Sequence, residues 1–287
     1  MTVAEFVYTV LLKPAPLRLV ANAVIRKVLP STVRYGPAHI VLNPNDPVVS
    51  GALTFRVYER HEIAFVRGAL RSGMTLLDIG ANVGLYSAIG SHAVGAEGTV
   101  IAFEPDPESF QYLEATMRKN GGRNARLFRL AAANQNGAAR LFTSSTNRGD
   151  NRLYDNDLRD GSVEIETVRL DDFLPTIGIR SVDFIKIDLQ GFEGHALQGL
   201  ERTIRNSSRM ILMTEFWPFG LTQAGTDPRG FLDMLEEFGL ALRALLPQGR
   251  TRAIDDKEAF IQQYQGRRYT NVIGYGRGLF SISATRN

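Results

Sequence analysis

Asp78-Ile79-Gly80-Ala81-Asn82-Val83-Gly84-Leu85-Tyr86-Ser87 is the stretch that decides the fold. It begins inside the short apolar run 75–79, which suits a buried strand, and enters residues 83–94, which read as a helix. Glycines between a strand and a helix allow a tight turn and a close backbone approach to a ligand. The helix that follows offers free N–H groups at its start. The spacing is Gly-x-x-x-Gly. It is neither the Gly-x-Gly-x-x-Gly of a dinucleotide fingerprint nor the Gly-Lys-Ser/Thr of a nucleotide phosphate loop, so a pyrophosphate ligand is disfavoured.

Outward from this loop, strands and helices alternate. Residues 99–104 read as a second strand, and Asp106-Pro107 opens a helix well, aspartate as cap and proline in the first turn. Phe110, Leu113 and Met117 form its inward stripe, and Asn120-Gly121 closes it. Residues 126–132 read as a third strand and 182–188 as a fourth, followed by a helix that turns Leu197, Leu200 and Ile204 inward. Residues 209–215 read as a fifth strand and 231–238 as a helix, and 240–246 and 269–275 as a closing pair, expected antiparallel. Such alternation predicts an α/β fold, a mostly parallel seven-stranded sheet with helices on both faces and an antiparallel strand near the C-terminus. Residues 1–70 are broken by Pro14, Pro16, Pro30, Pro37, Pro44 and Pro47. They read as a helical and extended cap, with an extended piece at 38–42 and a helix at 57–70, before a main domain at 71–287.

In open α/β sheets, ligands bind beyond the carboxyl ends of the strands. The first, second, fourth and fifth strands end at or near Asp78, Glu104, Asp188 and Glu215. Four such acids mark a candidate site; the competing reading is that acids favour helix starts. Residues 143–165 are polar and read as a long loop, functional or disordered.

Composition narrows the classes. Hydrophobic residues are 44% and charged residues 22%, enough for an ordinary globular core. Cysteine is absent, which excludes disulfides, thiolate metal sites and a thiol nucleophile. His39, His61, His92 and His195 are too scattered for a multi-histidine metal site, and no metal is expected. The net charge of +3 comes from arginines spread along the chain without a basic stripe, so nucleic acid is disfavoured as a partner. The first apolar run, 6–12, is too short to span a bilayer. Glu5 and the missing cation do not suit a signal peptide, so a cytoplasmic protein is expected. Residues 17–29 are apolar with Arg18, Arg26 and Lys27 interspersed. Peripheral membrane contact through residues 1–30 is one reading; a helix packed on the main domain is the favoured one.

An acid before the glycine loop and an acid ending the next strand suit a ligand with a cationic group and a ribose. Glu104 lies 20 residues after Gly84, a separation that suits hydrogen bonds to ribose hydroxyls. S-adenosylmethionine carries an ammonium, a sulfonium and a ribose, and no phosphate. The competing reading is a packing turn with no ligand.

These residues resemble the FkbM-type S-adenosylmethionine-dependent methyltransferases, a branch of the class I, Rossmann-like methyltransferases. The resemblance rests on residues 77–87, 100–107, 168–173 and 183–193 in that order, and covers the chain from about residue 40 onward. It implies a cofactor cradle of Asp78, Gly80, Ala81, Asn82 and Gly84, with Tyr86 and Ser87 opening the helix. It implies Glu104 and Pro105 at the ribose and Ala131-Ala132, at the third strand's end, near the adenine; Asp188 is also a candidate cofactor contact. Members resembling this chain methylate hydroxyl oxygens of sugars, glycolipids or natural products. One departure stands out. The family's Asp-x-Glu-Gly-x-Glu is here Asp188-Leu189-Gln190-Gly191-Phe192-Glu193, which speaks against metal dependence.

A sugar hydroxyl is a poor nucleophile and needs a base as the new bond forms. Candidates are Asp188, Glu193, His195 and Glu215, with Asp188 first. Lys186 lies two residues before it, on the same face of the strand, so a structural ion pair is the competing reading. His195 reads more naturally as solvent-facing. Trp217 suits either an apolar wall that stacks on a sugar or the core. Arg148 and Asn151 in the polar loop are either substrate contacts or surface residues. The leading expectation is an O-methyltransferase with a small-molecule or glycan acceptor. The alternatives are a non-catalytic cofactor-binding or membrane-associated protein, and an RNA or protein methyltransferase.

Overall fold

The computed structural model describes residues 29–144, 147–154 and 161–279. The readings of residues 6–12 and of nearly all of 17–29 lie outside them. In chain order, β1 (Thr32–Tyr35) and β2 (Ala38–Val41) make an antiparallel hairpin, and α1 (Pro47–Thr54) and α2 (Arg60–Ala69) lead to β3 (Thr75–Ile79). Next come α3 (Leu85–Val94), β4 (Thr99–Phe103), α4 (Pro107–Lys119), β5 (Ala125–Phe128), β6 (Ala131–Ala133), β7 (Gly137–Thr143) and β8 (Gly161–Arg169). Then follow α5 (Leu170–Thr176), β9 (Phe184–Ile187), α6 (Glu193–Gln198), α7 (Glu201–Asn206), β10 (Ile211–Phe216) and α8 (Pro218–Gln223). The last are α9 (Pro228–Glu237), β11 (Leu240–Leu245), β12 (Thr251–Ala253), α10 (Lys257–Gln263) and β13 (Thr270–Gly276).

The main sheet has the order β12-β11-β13-β10-β9-β3-β4-β5. Strands β10, β9, β3, β4 and β5 are mutually parallel, and β13 runs antiparallel between β10 and β11. This is the Rossmann-like arrangement the alternation predicts, with an eighth strand added at the edge. That strand, β12, is three residues long and partly polar, too short to register as a hydrophobic pattern. Strand order reverses between β3 and β9, so the crevice beyond their carboxyl ends is where a ligand fits.

Two other expectations are corrected. The third strand, read as 126–132, is two strands: β5 stays in the main sheet, and β6 leaves it to pair with β8 in a separate sheet of order β6-β8-β7. The polar loop 143–165 is shorter than read, because β7 and β8 pair antiparallel from Gly137↔Thr167 to Thr143↔Gly161. Alternation of Val163, Ile165 and Thr167 with Glu164 and Glu166 explains β8, a period-2 signal masked by its charge.

The core follows the pleat. Leu77, Ile79, Ile101, Phe103, Ile185 and Ile187 bury on one face of the sheet. Leu76, Val100, Ala102 and Phe184 bury on the other, together with Tyr35, Ile40, Leu53 and Val66 from the segment before residue 71. Asp171, fully buried, fastens α7 to α5: its carboxylate accepts from Arg202 N, Thr203 N and Thr203 Oγ1, each at 2.8 Å. Asp171→Ala leaves buried donors without a partner, at about 1–3 kcal/mol each. Urea unfolding is expected to show a loss of about 3 kcal/mol with an unchanged m-value.

Candidate active site

The turn from β3 to α3 is held from both sides. Gly80 N and Ala81 N both donate to Phe103 O at 3.0 Å, and Lys186 Nζ donates to Gly80 O at 2.9 Å. Gly80 has φ +76°, and a Cβ there would stand 2.0 Å from Asp188 O, so the residue must be glycine. Asn82, also left-handed at φ +49°, donates its N–H to Glu104 Oε2 at 2.8 Å. Glu104 Oε1 accepts from Asp106 N at 2.8 Å. Burial raises the Glu104 carboxyl to about 7; these two N–H bonds oppose that and the nearby Asp106 carboxylate adds to it. Asp78 lies beneath the loop, fully buried, and accepts from Ser87 Oγ at 2.6 Å.

Beside this turn is a cavity of about 790 Å³, counting its open mouth. Gly80, Ala81, Asn82, Glu104, Pro105 and Ala131 line one side; Lys186, Asp188 and Gln190 line another. Val49, Leu53 and Tyr58, from the segment before residue 71, close it. Residues 147–154 strap across. Arg148 N donates to Asp46 Oδ2 at 3.0 Å, and its guanidinium pairs with Asp106 at 3.0 Å and Glu108 at 2.6 Å. Asn82 Oδ1, Asn151 Nδ2 and Arg148 Nε are buried here with no hydrogen-bond partner among the described residues. Buried polar atoms in that state await a ligand or water, and a donor and an acceptor beside Glu104 fit a nucleoside.

Acids gather at the other end. One oxygen from each of Asp188, Glu193 and Glu215 lies within 4.8 Å of the others. Glu193 caps its own turn, accepting from Leu189 N at 2.7 Å and Gly191 N at 2.9 Å, while burial raises its carboxyl to about 7. Burial, then Asp188 and Glu193, push Glu215 well above the usual range. Lys186 Nζ lies 3.6 Å from Asp188 and 3.9 Å from Asp78. Burial works against this ammonium, but Asp188, Asp78 and Glu59 outweigh it and raise its pKa.

Residues 78–242 match the family model described as the methyltransferase FkbM domain. The chain belongs to that family, the FkbM-type S-adenosylmethionine-dependent methyltransferases. It is 31% identical over 192 residues to the 2-O-methyltransferase NoeI of Sinorhizobium fredii, covering 61% of this chain and 75% of that protein. It is 24% identical to the hexuronic acid methyltransferase AglP of Haloferax volcanii, covering 58% of this chain and 63% of AglP. It is 30% identical to the 31-O-demethyl-FK506 methyltransferase FkbM of Streptomyces tacrolimicus, covering 52% of this chain and 65% of FkbM. This chain thus spans three quarters of NoeI and just under two thirds of the other two.

Within this FkbM-family methyltransferase, several expected residues stand elsewhere than read. Of the expected pair Ala131-Ala132, only Ala131 lines the cavity; successive strand residues face opposite ways, and Ala132 packs into the core. Asp78 and Ser87 hold each other under the loop rather than facing the cavity. His195 stacks on Phe192 with centroids 4.3 Å apart and donates from Nε2 to Ala224 O, away from the cavity lining. The Trp217 ring carries the Arg152 guanidinium 4.7 Å from its centroid, and Gly220 backs onto it, where a Cβ would stand 2.2 Å from Cε3. Its indole N–H donates to Gly266 O at 3.0 Å. The ring is buried and lies outside the cavity lining.

Tyr58, Glu59 and Tyr269 escaped the sequence reading. Glu59 has φ +39° and accepts from Tyr86 OH at 2.5 Å; burial and the nearby Asp188 raise its carboxyl to about 8. Tyr269 is 58% exposed overall; local burial of its hydroxyl, then Glu59 and Glu215, push that group up. The one signal for Glu59 was an acid at a helix start.

Glu104, Glu193 and Glu59 share a direction. Each carboxyl has a folded pKa above its ordinary 4.5, so folding favours the protonated form. Their stabilising contribution is complete below pH ~4.5 and is lost as pH rises through about 7 to 8. The cofactor-free protein is therefore expected to melt at a lower temperature at pH 8.5 than at pH 5.5. Differential scanning calorimetry checks this, and Glu59→Gln should flatten the slope.

Proposed function

We propose that this enzyme transfers a methyl group from S-adenosylmethionine to a hydroxyl of a sugar, glycolipid or natural product. The observation that carries the reading is that Glu104 and Asp188 line one cavity, at the switch point of the sheet. NoeI and FkbM, both named for transfer to oxygen, and AglP, named for a sugar acid, support it.

Glu104 takes the ribose hydroxyls. Asn82 and Asn151 use their unpartnered amide atoms on the nucleoside, and Pro105 and Ala131 supply apolar surface for the base. Gly80, Ala81 and Gly84 let the backbone come close. Ser87 and Asp78 hold the loop from beneath, and Tyr86 reaches away to Glu59. The segment before residue 71 acts as a cap, with Val49, Leu53 and Tyr58 excluding water. When bound, the cofactor supplies an electrophilic methyl group on positive sulfur.

Asp188 accepts the proton of the acceptor hydroxyl as the new carbon–oxygen bond forms. Lys186, 3.6 Å away, offsets the charge on that carboxylate and ties it to the cofactor loop through Gly80 O. Glu215, whose carboxyl burial and then Asp188 push well above the usual range, lies beside it in the cluster. Glu193 and His195 hold the turn and α6 rather than the substrate. Arg148 serves as the strap's anchor, and Trp217 supports the acceptor side through Arg152.

Ribose hydroxyls donate to an ionised Glu104, whose carboxyl titrates at about 7. Binding therefore competes with protonation. Calorimetric titration with S-adenosylmethionine should show affinity falling by up to tenfold per pH unit below 7. Glu104→Gln should weaken binding by about 1–3 kcal/mol and remove that pH dependence. Equal affinity in the variant would take Glu104 out of the ribose role.

Asp188→Asn should lower kcat by about a hundredfold or more, measured as methylated product over a panel of glycoside acceptors. Its affinity for S-adenosylmethionine should stay within a few-fold. A variant with full turnover would move the base elsewhere.

A further inference from the structure

The turn after β9 places an unusual residue against the acid cluster. Gln190 Nε2 donates to Asp188 Oδ1 at 2.8 Å and, in a longer bond, to Glu215 Oε2 at 3.4 Å. Both oxygens are carboxylate acceptors, so the amide must present its nitrogen to them, and its two N–H bonds provide one for each. The residue is fixed from several sides. Its backbone is left-handed, at φ +54°, a conformation that glycine and asparagine usually take. Its carbonyl accepts from Tyr154 OH at 3.0 Å. The N–H groups on either side, of Leu189 and Gly191, both donate to Glu193. Gly191 is pressed against the Gly220 backbone, where a Cβ would stand 2.6 Å from its carbonyl oxygen. A glutamine in a strained turn, clamped by its neighbours and aimed at two carboxylates, is an arrangement with a purpose.

We propose that Gln190 is a positioning residue for methyl transfer: its amide bridges Asp188 and Glu215 and takes the place a divalent cation would need among the three carboxylates. Carboxylates this close repel each other when ionised, and only a proton, a cation or a hydrogen-bond donor relieves that. The amide supplies neutral donors. It orients Asp188 toward the acceptor without a metal ion and leaves the Asp188 charge free to take a proton. A glutamate at position 190 would add one more acceptor to the cluster and remove both donors. The inference rests on Asp188 as the proton acceptor proposed above.

The test compares the wild type with Gln190→Glu and Gln190→Met, the second matching the side chain's length without its donors. Circular dichroism and S-adenosylmethionine affinity report whether each variant keeps its fold and cofactor end. Mn²⁺ titration followed by electron paramagnetic resonance needs no acceptor. The expected result is one bound Mn²⁺ in Gln190→Glu and none in the wild type or Gln190→Met. In turnover, both variants are expected to lose at least tenfold in kcat with KM for S-adenosylmethionine within threefold, and added MgCl₂ to restore only Gln190→Glu. Stoichiometric Mn²⁺ in the wild type, loss of wild-type activity to EDTA, no Mn²⁺ in Gln190→Glu, or wild-type turnover by Gln190→Met would each overturn it. Because the Mn²⁺ measurement stands apart from the acceptor, a wild type that methylates no hydroxyl would count against Asp188 as base. The seat of the amide would still be decided by the metal.

Discussion

Lys186 rises from the middle of β9 into the space between two strand ends, where its ammonium donates to the carbonyl of Gly80 and sits between Asp78 and Asp188. An ammonium buried to this degree is tolerable only if paired and hydrogen-bonded, and here both conditions are met by groups that themselves need fixing. Gly80 belongs to the turn after β3, Asp78 to the strand beneath it, and Asp188 to the end of β9 beside the acid cluster. One charge therefore sets the distance between the two ends of the cavity. The switch point makes this possible, because β3 and β9 are adjacent and parallel, with Asp78 paired in register with Lys186.

The parts of the molecule legible in the sequence are those dictated by local chemistry. Asp106 does cap α4, accepting from Ser109 N, with Pro107 in the first turn. The acids at the ends of β3, β4, β9 and β10 were visible because strand length and apolar runs locate strand ends well. Glu104 lines the cavity beyond the end of β4. Where the reading stopped short, the missing information was tertiary. Nothing local reveals that Ala131 and Ala132 face opposite ways, since that depends on where β6 leaves the sheet. Nor does a lone tryptophan disclose that an arginine already lies over its ring.

The segment before residue 71 shows the same limit from another side. Its extended piece and its helix were legible locally, but not that α1, α2 and the β1–β2 hairpin share a hydrophobic cluster with α3 and the sheet. Tyr58 and Glu59 reach the site only because this packing carries them there. Glu59 holds a left-handed backbone in front of α2 and meets Tyr86 from α3. No periodic pattern encodes such a meeting.

The strap is fastened by a carboxylate with a second duty. Asp46 Oδ1 accepts from Val49 N and caps the start of α1, while Oδ2 accepts from Arg148 N, 102 positions further along the chain. With both oxygens committed, the first turn of that helix and the flap of residues 147–154 over the cavity form one cooperative unit. Fraying at the helix would loosen the flap, and lifting the flap would unseat the helix.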